Sequence, residues 1–165
     1  VSFGTPLLTS EQDNLDVIEA VAAEFSDLQP NEALVLMGHG TTHYANSIYA
    51  ALDYTFKDKG YKNIFLGTVE AYPSMETLMK MVKEYAPDRV ILAPFMIVAG
   101  DHAKNDMAGD DPDSWYNRFL SAGFSVKPVI KGLGQYPGIR RIFVEHLKAA
   151  SRNEMRNYME AISKL

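Results

Sequence analysis

Short apolar runs alternate with segments of helical periodicity along this chain, and this alternation constrains the fold more than any other feature. Four runs are typical of strands, at residues 33–37, 64–69, 89–98 and 124–130. The first of them is uninterrupted and ends at Gly38, a pattern that favours a strand buried on both faces of a sheet. Strands that alternate with helices predict an α/β fold, with a mainly parallel, Rossmann-like sheet and helices on both of its faces.

Five segments carry apolar residues at helical spacing. The first is expected to begin at a cap formed by Thr9 or Ser10 and to stop before Pro30. The expected core positions of the five helices are Val17, Ile18, Val21, Ala22, Phe25 and Leu28; Ala45, Ile48, Tyr49, Leu52 and Phe56; Leu78, Met79, Val82 and Tyr85; Trp115, Phe119 and Leu120; and Ile139, Ile142, Phe143, His146 and Leu147. The polar segment after Ser151 is expected to continue as an exposed helix. No repeat or linker is evident, so residues 1–165 are interpreted as a single lobe.

Composition excludes several classes of function. The 165 residues are 47% hydrophobic, and no apolar run approaches the length of a membrane helix, so no membrane partner is expected. With 16 Lys and Arg against 21 Asp and Glu, and with no basic run, a nucleic-acid partner is not expected either. Because the chain has no cysteine, disulfides, thiolate metal sites and cysteine nucleophiles are ruled out.

Three polar residues follow the first three predicted strands at nearly even intervals: His39, Glu70 and His102. Because successive parallel strands return to the same edge of a sheet, residues just past their carboxyl ends converge in one crevice. Two imidazoles and a carboxylate in that crevice form a donor set for a divalent metal ion. The sequence therefore predicts a metal site at this edge.

Each of the three residues also has an ordinary structural explanation. A histidine after a strand is often only a hydrogen-bonded structural residue, and Glu70 could be a solvated carboxylate or a charge at the start of the next helix. Glycines on both sides of His39 leave its backbone open to close approach by a ligand. Together the three residues favour a metal site, because three separate loops each offer a suitable ligand.

The two remaining histidines are interpreted differently. His43 lies four residues after His39, but Gly40 makes a continuous helix between them doubtful, so His43 is expected at the rim of the site. His146 falls on the apolar face of the last helix, where a packed, hydrogen-bonded role is favoured over metal binding.

Four stretches of the sequence are distinctive together: Met37-Gly38-His39-Gly40, Val69-Glu70-Ala71-Tyr72-Pro73, the segment from Pro94 to Met107, and Asp110-Asp111-Pro112-Asp113-Ser114-Trp115. They resemble a known family, the CbiK type of class II chelatase, which is the anaerobic cobaltochelatase of cobalamin synthesis. The third stretch is long and specific, and the resemblance runs from about Pro6 to Leu147. It implies that His39, Glu70 and His102 bind the incoming metal.

The resemblance covers only the carboxy-terminal lobe of proteins that have two. In that family the tetrapyrrole is bound in the cleft between two α/β lobes, and here residues 1–5 resemble the opening strand of the family while residues 6–10 resemble the start of its second lobe. The amino-terminal lobe is therefore expected to be absent from this chain. Small single-lobe relatives act as dimers, so a homo-oligomer is the second expectation.

The function that the resemblance implies is insertion of Co²⁺ into sirohydrochlorin or a related tetrapyrrole, with Co²⁺ as the substrate metal. The chain contains no phosphate-binding loop of the Walker type, consistent with a reaction that uses no nucleotide. The imidazoles of His39 and His102, when neutral, can both bind the ion and accept the pyrrole protons, which makes them the expected catalytic residues. Lys104, Arg140 and Arg141 are candidate partners for the carboxylates of the substrate.

Three other interpretations use the same residues. A nickel or iron chelatase would need only a different metal, because two histidines and a glutamate suit several first-row ions. A non-catalytic carrier of metal or tetrapyrrole would use the same cleft. A metallohydrolase is disfavoured because no further acid or base stands out beside the three ligands. A cytoplasmic location is expected, and a periplasmic one is left open because the sequence begins at Val1 without a methionine.

Overall fold

The computed structural model describes residues 3–151, in two compact units. We call residues 25–135 the sheet unit, and residues 3–24 together with 136–151 the helical unit. The helices are α1 (Glu11–Glu24), α2 (Ser47–Asp58), α3 (Met75–Tyr85), α4 (Trp115–Ser121) and α5 (Pro137–Ser151), and the strands are β1 (Glu32–Gly38), β2 (Ile64–Thr68), β3 (Arg89–Pro94) and β4 (Ser125–Pro128). Within the described residues, no helix has both the length and the apolar character needed to span a membrane.

The four strands form one parallel sheet in the order β2-β1-β3-β4. β1 lies in the centre, where Leu36 is in register with Leu66 of β2 and with Ala93 of β3. Almost every residue of β1, β2 and β3 is buried, which is why these strands appear in the sequence as continuous apolar runs.

Helices cover both faces of this sheet. Side chains of a strand alternate between the faces, so Gly38 and Gly67 mark opposite sides of β1 and β2. A Cβ added to Gly38 would lie 2.3 Å from the ring of Tyr49 on α2, whereas one added to Gly67 would lie 2.4 Å from Leu78 on α3. The predicted α/β fold, with a parallel sheet between helices, is thereby confirmed.

The outer side of β2 is bonded to α2 through an ion pair. The carboxylate of Asp53 accepts a hydrogen bond from the backbone N–H of Leu66 (2.8 Å), and the ammonium group of Lys57 donates to the carbonyl of Ile64 (2.6 Å). Lys57 also donates to Asp53. Burial lowers the pKa of Lys57, although the neighbouring Asp53 opposes that shift.

The third strand is shorter than predicted. It ends at Pro94 rather than at Val98, because the backbone leaves the sheet after Phe95 donates to the carbonyl of Met37 (2.7 Å). The next two carbonyls, of Met96 and Ile97, accept hydrogen bonds from residues 133 and 134 instead of from a strand. The fourth strand is likewise confined to Ser125–Pro128, within the predicted range of 124–130.

In the helical unit, α1 begins with a reciprocal cap and ends earlier than predicted. The hydroxyl of Ser10 accepts from the N–H of Asp13 (3.1 Å), and the carboxylate of Asp13 accepts from the N–H groups of Ser10 and Thr9 (both 3.0 Å). The helix ends at Glu24, so the prediction that it reaches Leu28 is wrong. A turn follows, in which the N–H of Leu28 donates to the carbonyl of Phe25 (3.0 Å).

His146 on α5 is largely buried and fully hydrogen-bonded, in agreement with the interpretation of a packed histidine. Its Nδ1 lies 3.0 Å from the carbonyl oxygen of Thr5, and its Nε2 lies 2.9 Å from Oδ1 of Asp13. Burial works against ionisation of Asp13, but hydrogen bonds from His146, Thr9 and Ser10 outweigh it and lower the pKa of this carboxyl.

The predicted apolar stripe of α5 is only partly buried. Ile139 and Ile142 are buried, but Phe143 and Leu147 are exposed, so their predicted core positions are wrong. The apolar face of α5 therefore includes residues that are not covered by packing. The helix expected after Ser151 lies outside the described residues.

Candidate metal centre

His39 and Glu70 are held together by the backbone just beyond two neighbouring strands. The N–H of Val69 donates to the carbonyl of Gly38, and the N–H of Glu70 donates to the carbonyl of His39, both at 3.0 Å. These bonds continue the pairing of β1 with β2 past the last ladder residues. The side chains of His39 and Glu70 therefore start from adjacent points at the carboxyl edge of the sheet.

The two glycines beside His39 have packing roles that the sequence interpretation did not foresee. The ring of Tyr49 occupies the space that a side chain at Gly38 would need. Gly40 has φ +87°, and a Cβ there would lie 2.9 Å from Thr68 and 3.0 Å from the backbone nitrogen of Ala71. The sequence predicts that these glycines leave room for a ligand, whereas in the structure they leave room for neighbouring protein atoms.

Asn46 joins the loop that carries His39 to the loop that carries Glu70. Its Oδ1 accepts from the N–H of Thr41 (3.0 Å), and its Nδ2 donates to the carbonyl of Tyr72 (2.6 Å). Both loops are thus fixed by a side chain as well as by backbone bonds.

His102 reaches the site from a helical segment rather than directly from the end of a strand. After β3 ends at Pro94, the chain runs through bends until helical structure resumes at residue 101, and residues Ala103–Met107 form a π-helix. Ala103 and Met107 are fully buried in the core cluster that includes Trp115. These anchors fix the helical segment, and π-helices of this kind occur frequently at functional sites.

The three predicted ligands come together in the structure. The Nε2 atoms of His39 and His102 are 3.1 Å apart, and Nε2 of His39 is 3.7 Å from Oε1 of Glu70. One donor atom from each residue lies within 4.8 Å of the others. Nitrogens bound to one ion at about 2.0–2.1 Å, as for zinc, lie about 3.3 Å apart at a tetrahedral angle and about 2.9 Å apart at a right angle. The separation of the two histidines matches this range.

The hydrogen bonds of both histidines direct their lone pairs into the cluster. Nδ1 of His39 is 3.0 Å from the carbonyl oxygen of Gly40, and Nδ1 of His102 is 2.5 Å from Oδ2 of Asp106. A carbonyl and a carboxylate oxygen accept hydrogen bonds, so each Nδ1 is the donor and each neutral ring keeps its Nε2 lone pair. Two lone pairs and a carboxylate then face one another, an arrangement that a cation stabilises.

The cluster is open to solvent, which suits a site that must exchange its metal. The side chains of His39, Glu70 and His102 are 45, 55 and 41% exposed. A structural metal site is normally closed by protein ligands, whereas a site that reacts keeps open positions.

The other residues predicted near the site have different surroundings. His43 is exposed and accepts the N–H of Ala45 at its Nδ1 (3.1 Å), which caps the short helix Tyr44–Asn46. Lys104 is exposed on the helical segment after His102. Arg140 and Arg141 are exposed on α5, in the helical unit.

Asp106, which contacts His102, is a neighbour of the cluster that the sequence analysis missed. Its spacing of four residues from His102 is the signal that could have revealed it, because residues four apart on a helix lie on the same face. The spacing is not informative from the sequence alone, because the segment after Val98 is not predicted to be helical.

Comparisons with known proteins indicate the family to which the chain belongs. A family model described as cobalt chelatase (CbiK) matches residues 1–152. The chain is 41% identical over 150 residues to a sirohydrochlorin cobaltochelatase of Salmonella typhimurium, covering 91% of this chain and 56% of the relative. It is 34% identical over 150 residues to the sirohydrochlorin cobaltochelatase CbiKC of Nitratidesulfovibrio vulgaris, covering 90% of this chain and 53% of that relative. The chain thus spans about half the length of the curated relatives it matches.

A solved structure supports the fold independently. The sirohydrochlorin chelatase SirB from Bacillus subtilis subspecies spizizenii, solved in complex with cobalt, superposes with a TM-score of 0.54 at 14% identity, over 92% of this chain and 55% of that one. At this identity the similarity concerns the fold alone. From the match of the family model over residues 1–152, we conclude that this chain belongs to the CbiK family of cobalt chelatases.

Proposed function

We propose that this chain forms the metal-binding part of a sirohydrochlorin cobaltochelatase, which inserts Co²⁺ into sirohydrochlorin without nucleotide hydrolysis during anaerobic cobalamin synthesis. The observation that carries the proposal is the cluster of His39, Glu70 and His102, whose donor atoms lie within 4.8 Å of one another in a chain of this family. Both similar relatives are named sirohydrochlorin cobaltochelatase.

The chemistry of metal insertion fits this donor set. The ion must lose water before it enters the macrocycle, and two pyrrole N–H protons must leave. Two imidazoles replace water on the ion, and as the ion moves into the macrocycle their freed Nε2 atoms can accept the protons. Glu70 offsets the charge of the dication and, because it is more than half exposed, leaves the ion free to be released.

Exposed apolar side chains on the same three loops support a flat, partly apolar substrate. Tyr44 follows His39, Tyr72 follows Glu70, and Val98 precedes His102, with exposed fractions of 88, 63 and 73%. Apolar side chains exposed together on loops that also carry ligands are typical of a binding surface. A tetrapyrrole offers both an apolar ring and the nitrogens that take the metal.

We further propose that residues 1–165 correspond to one lobe of the catalytic cleft, and that a second lobe or a second copy of the chain supplies the facing wall. The support is the coverage of the relatives, of which the chain spans 56 and 53%. This part of the proposal concerns how the macrocycle is enclosed, and the metal cluster itself lies wholly within the sheet unit.

The test is to mix the purified chain with sirohydrochlorin and Co²⁺ in the absence of nucleotide and to follow the visible absorption of the macrocycle. We expect more than one equivalent of cobalt-sirohydrochlorin for each chain. A rate that rises more steeply than in proportion to chain concentration would indicate that two copies enclose the substrate.

The alternatives give different results in the same experiment. A carrier would bind one equivalent of metal or macrocycle without turnover. Faster insertion of Ni²⁺ or Fe²⁺ than of Co²⁺ would identify a chelatase for another metal. Insertion that continues at the uncatalysed rate, whatever the chain concentration, would contradict the proposal for this chain alone.

A further inference from the structure

Asp106 forms a short hydrogen bond with the outer nitrogen of a candidate ligand. Its Oδ2 lies 2.5 Å from Nδ1 of His102, whose other nitrogen faces His39 at 3.1 Å. Hydrogen bonds between an imidazole and a carboxylate are stronger and shorter than neutral ones. The contact therefore bears directly on how His102 presents its Nε2.

Stability does not explain this contact. The side chains of His102 and Asp106 are 41 and 43% exposed, and exposed ion pairs contribute little to folding. The same helical segment is already anchored by Ala103 and Met107, which are fully buried. The carboxylate of Asp106 is therefore not needed to anchor the helical segment, and its contact with the imidazole of His102 calls for another explanation.

His39 has an equivalent outer partner, and the two partners differ in one respect. The carbonyl of Gly40 accepts from Nδ1 of His39 (3.0 Å), and a backbone carbonyl keeps the neutral ring in one tautomer whatever the side chains around it. Among the described residues, the partner of Nδ1 of His102 is the side chain of Asp106. A neutral histidine whose outer partner is removed can carry its proton on either nitrogen. In the tautomer protonated at Nε2, that nitrogen has no lone pair for the metal.

We propose that Asp106 is a positioning residue that keeps the proton of His102 on Nδ1 and thereby aims the Nε2 lone pair at the metal. This inference rests on the proposed function, since it assigns a second layer to the same site. The helical segment from residue 101 to Met107 supports this role, because residues four apart on a helix lie on the same face and Asp106 therefore lies beside His102. Outer-layer carboxylates of this kind orient ligating histidines and raise their basicity.

The first test measures Co²⁺ binding by calorimetry to the chain and to its variants. Asp106→Ala and Asp106→Asn should weaken binding by about 10- to 100-fold. Asp106→Glu, which keeps a carboxylate acceptor, should recover part of the loss. Asp101→Asn is the matched control, because it removes the same charge from the exposed residue next to His102 and should change the affinity by less than about threefold.

The second test reads the tautomer of His102 in the metal-free chain by two-bond ¹H–¹⁵N correlation spectroscopy in mildly alkaline buffer. We expect the proton on Nδ1 in the unmodified chain and in Asp101→Asn, and a substantial fraction on Nε2 in Asp106→Ala. Circular dichroism of each variant shows that the comparison is between folded chains, and the Asp106→Glu variant supplies a second folded comparison.

The two tests separate this inference from the proposed function. If the unmodified chain neither binds nor inserts Co²⁺, the proposed function fails, and the tautomer measurement still decides the role of Asp106. If Co²⁺ binds but Asp106→Ala binds it equally well, or if Asp101→Asn is weakened to the same degree, the positioning role is overturned. An unchanged tautomer in Asp106→Ala would overturn it as well.

Discussion

Residues 3–151 contain two histidine–aspartate pairs, one in each unit, and the two pairs use the imidazole ring in opposite ways. In the sheet unit, His102 and Asp106 are 2.5 Å apart and 41 and 43% exposed. In the helical unit, His146 and Asp13 are 2.9 Å apart and only 13 and 12% exposed. The same two residue types thus form an open pair and a closed pair.

The decisive difference lies at the second ring nitrogen. Both nitrogens of His146 face protein acceptors, the carbonyl of Thr5 and the carboxylate of Asp13, so neither nitrogen is left open to a metal. Only one nitrogen of His102 faces a carboxylate, and the other faces His39. A carboxylate beside a histidine therefore does not by itself indicate a metal ligand, because a metal ligand also needs a second nitrogen that no protein acceptor occupies.

The largest effect that this comparison predicts follows from removing the histidine of the open pair. His102→Ala should weaken Co²⁺ binding by more than about 100-fold, beyond the loss usual for outer-layer partners, and should abolish insertion. Calorimetry with Co²⁺ and the absorption assay with sirohydrochlorin measure the two effects.

His43→Ala is the control for His102→Ala, because His43 lies on the loop of His39 but its Nδ1 is engaged by Ala45. It should bind Co²⁺ as the unmodified chain does. Near-normal turnover by His102→Ala would show that the site has been drawn wrongly.

Removing the histidine of the closed pair should reduce stability and leave metal binding intact. His146→Leu leaves the carboxylate of Asp13 without its strongest partner, and we expect a loss of about 2 kcal/mol in the free energy of unfolding by denaturant. Leu147→Ala, at the neighbouring exposed position, should cost less than about 0.5 kcal/mol. A loss of Co²⁺ binding by His146→Leu at unchanged stability would mean that its role has been misassigned.

Glu70 should contribute less to Co²⁺ binding than the two histidines, His39 and His102. Glu70→Gln keeps an oxygen donor but removes the charge that offsets the dication, so Co²⁺ binding should weaken by about tenfold. Insertion should recover in part when the Co²⁺ concentration is raised, which steady-state assays across metal concentration would show. Complete inactivity that excess Co²⁺ does not relieve would instead indicate that Glu70 takes part in the reaction.

The smallest expected effect is the contribution of Asp13 to the pH dependence of folding. Its pKa is lowered in the folded chain, so its ionised form contributes stability above its unfolded pKa of about 3.9, and that contribution is lost as the pH falls through the lower folded value. Asp13→Asn should therefore flatten the acid side of the curve of unfolding free energy against pH. Curves of equal slope for both proteins would contradict the link between Asp13 and acid stability.

The convergence of His39, Glu70 and His102 could be predicted from the sequence because parallel strands return to one edge. Their role as metal ligands stays a prediction. The approach of His102 could not be predicted in detail, since its distance from Pro94 depends on where the carbonyls of Met96 and Ile97 find partners, and those partners lie far along the chain.

The partner of His146 in the closed pair could not be predicted from the sequence either. Helical periodicity indicated a packed position for His146, but its partner Asp13 lies 133 positions away, and no local pattern connects the two. The cap formed by Ser10 and Asp13 was within reach of sequence analysis, because its members are three residues apart. What local spacing cannot supply is the second use of Asp13, which depends on the packing of α1 with α5 within the helical unit.

The bonds between α2 and the outer side of β2 have a consequence for how copies of this chain can associate. An unpaired strand at a sheet edge is a template on which another chain can add a strand or aggregate. The N–H of Leu66 and the carbonyl of Ile64, which such an added strand would need, are already taken by Asp53 and Lys57. A second copy of the chain therefore cannot extend the sheet by adding a strand across this part of β2.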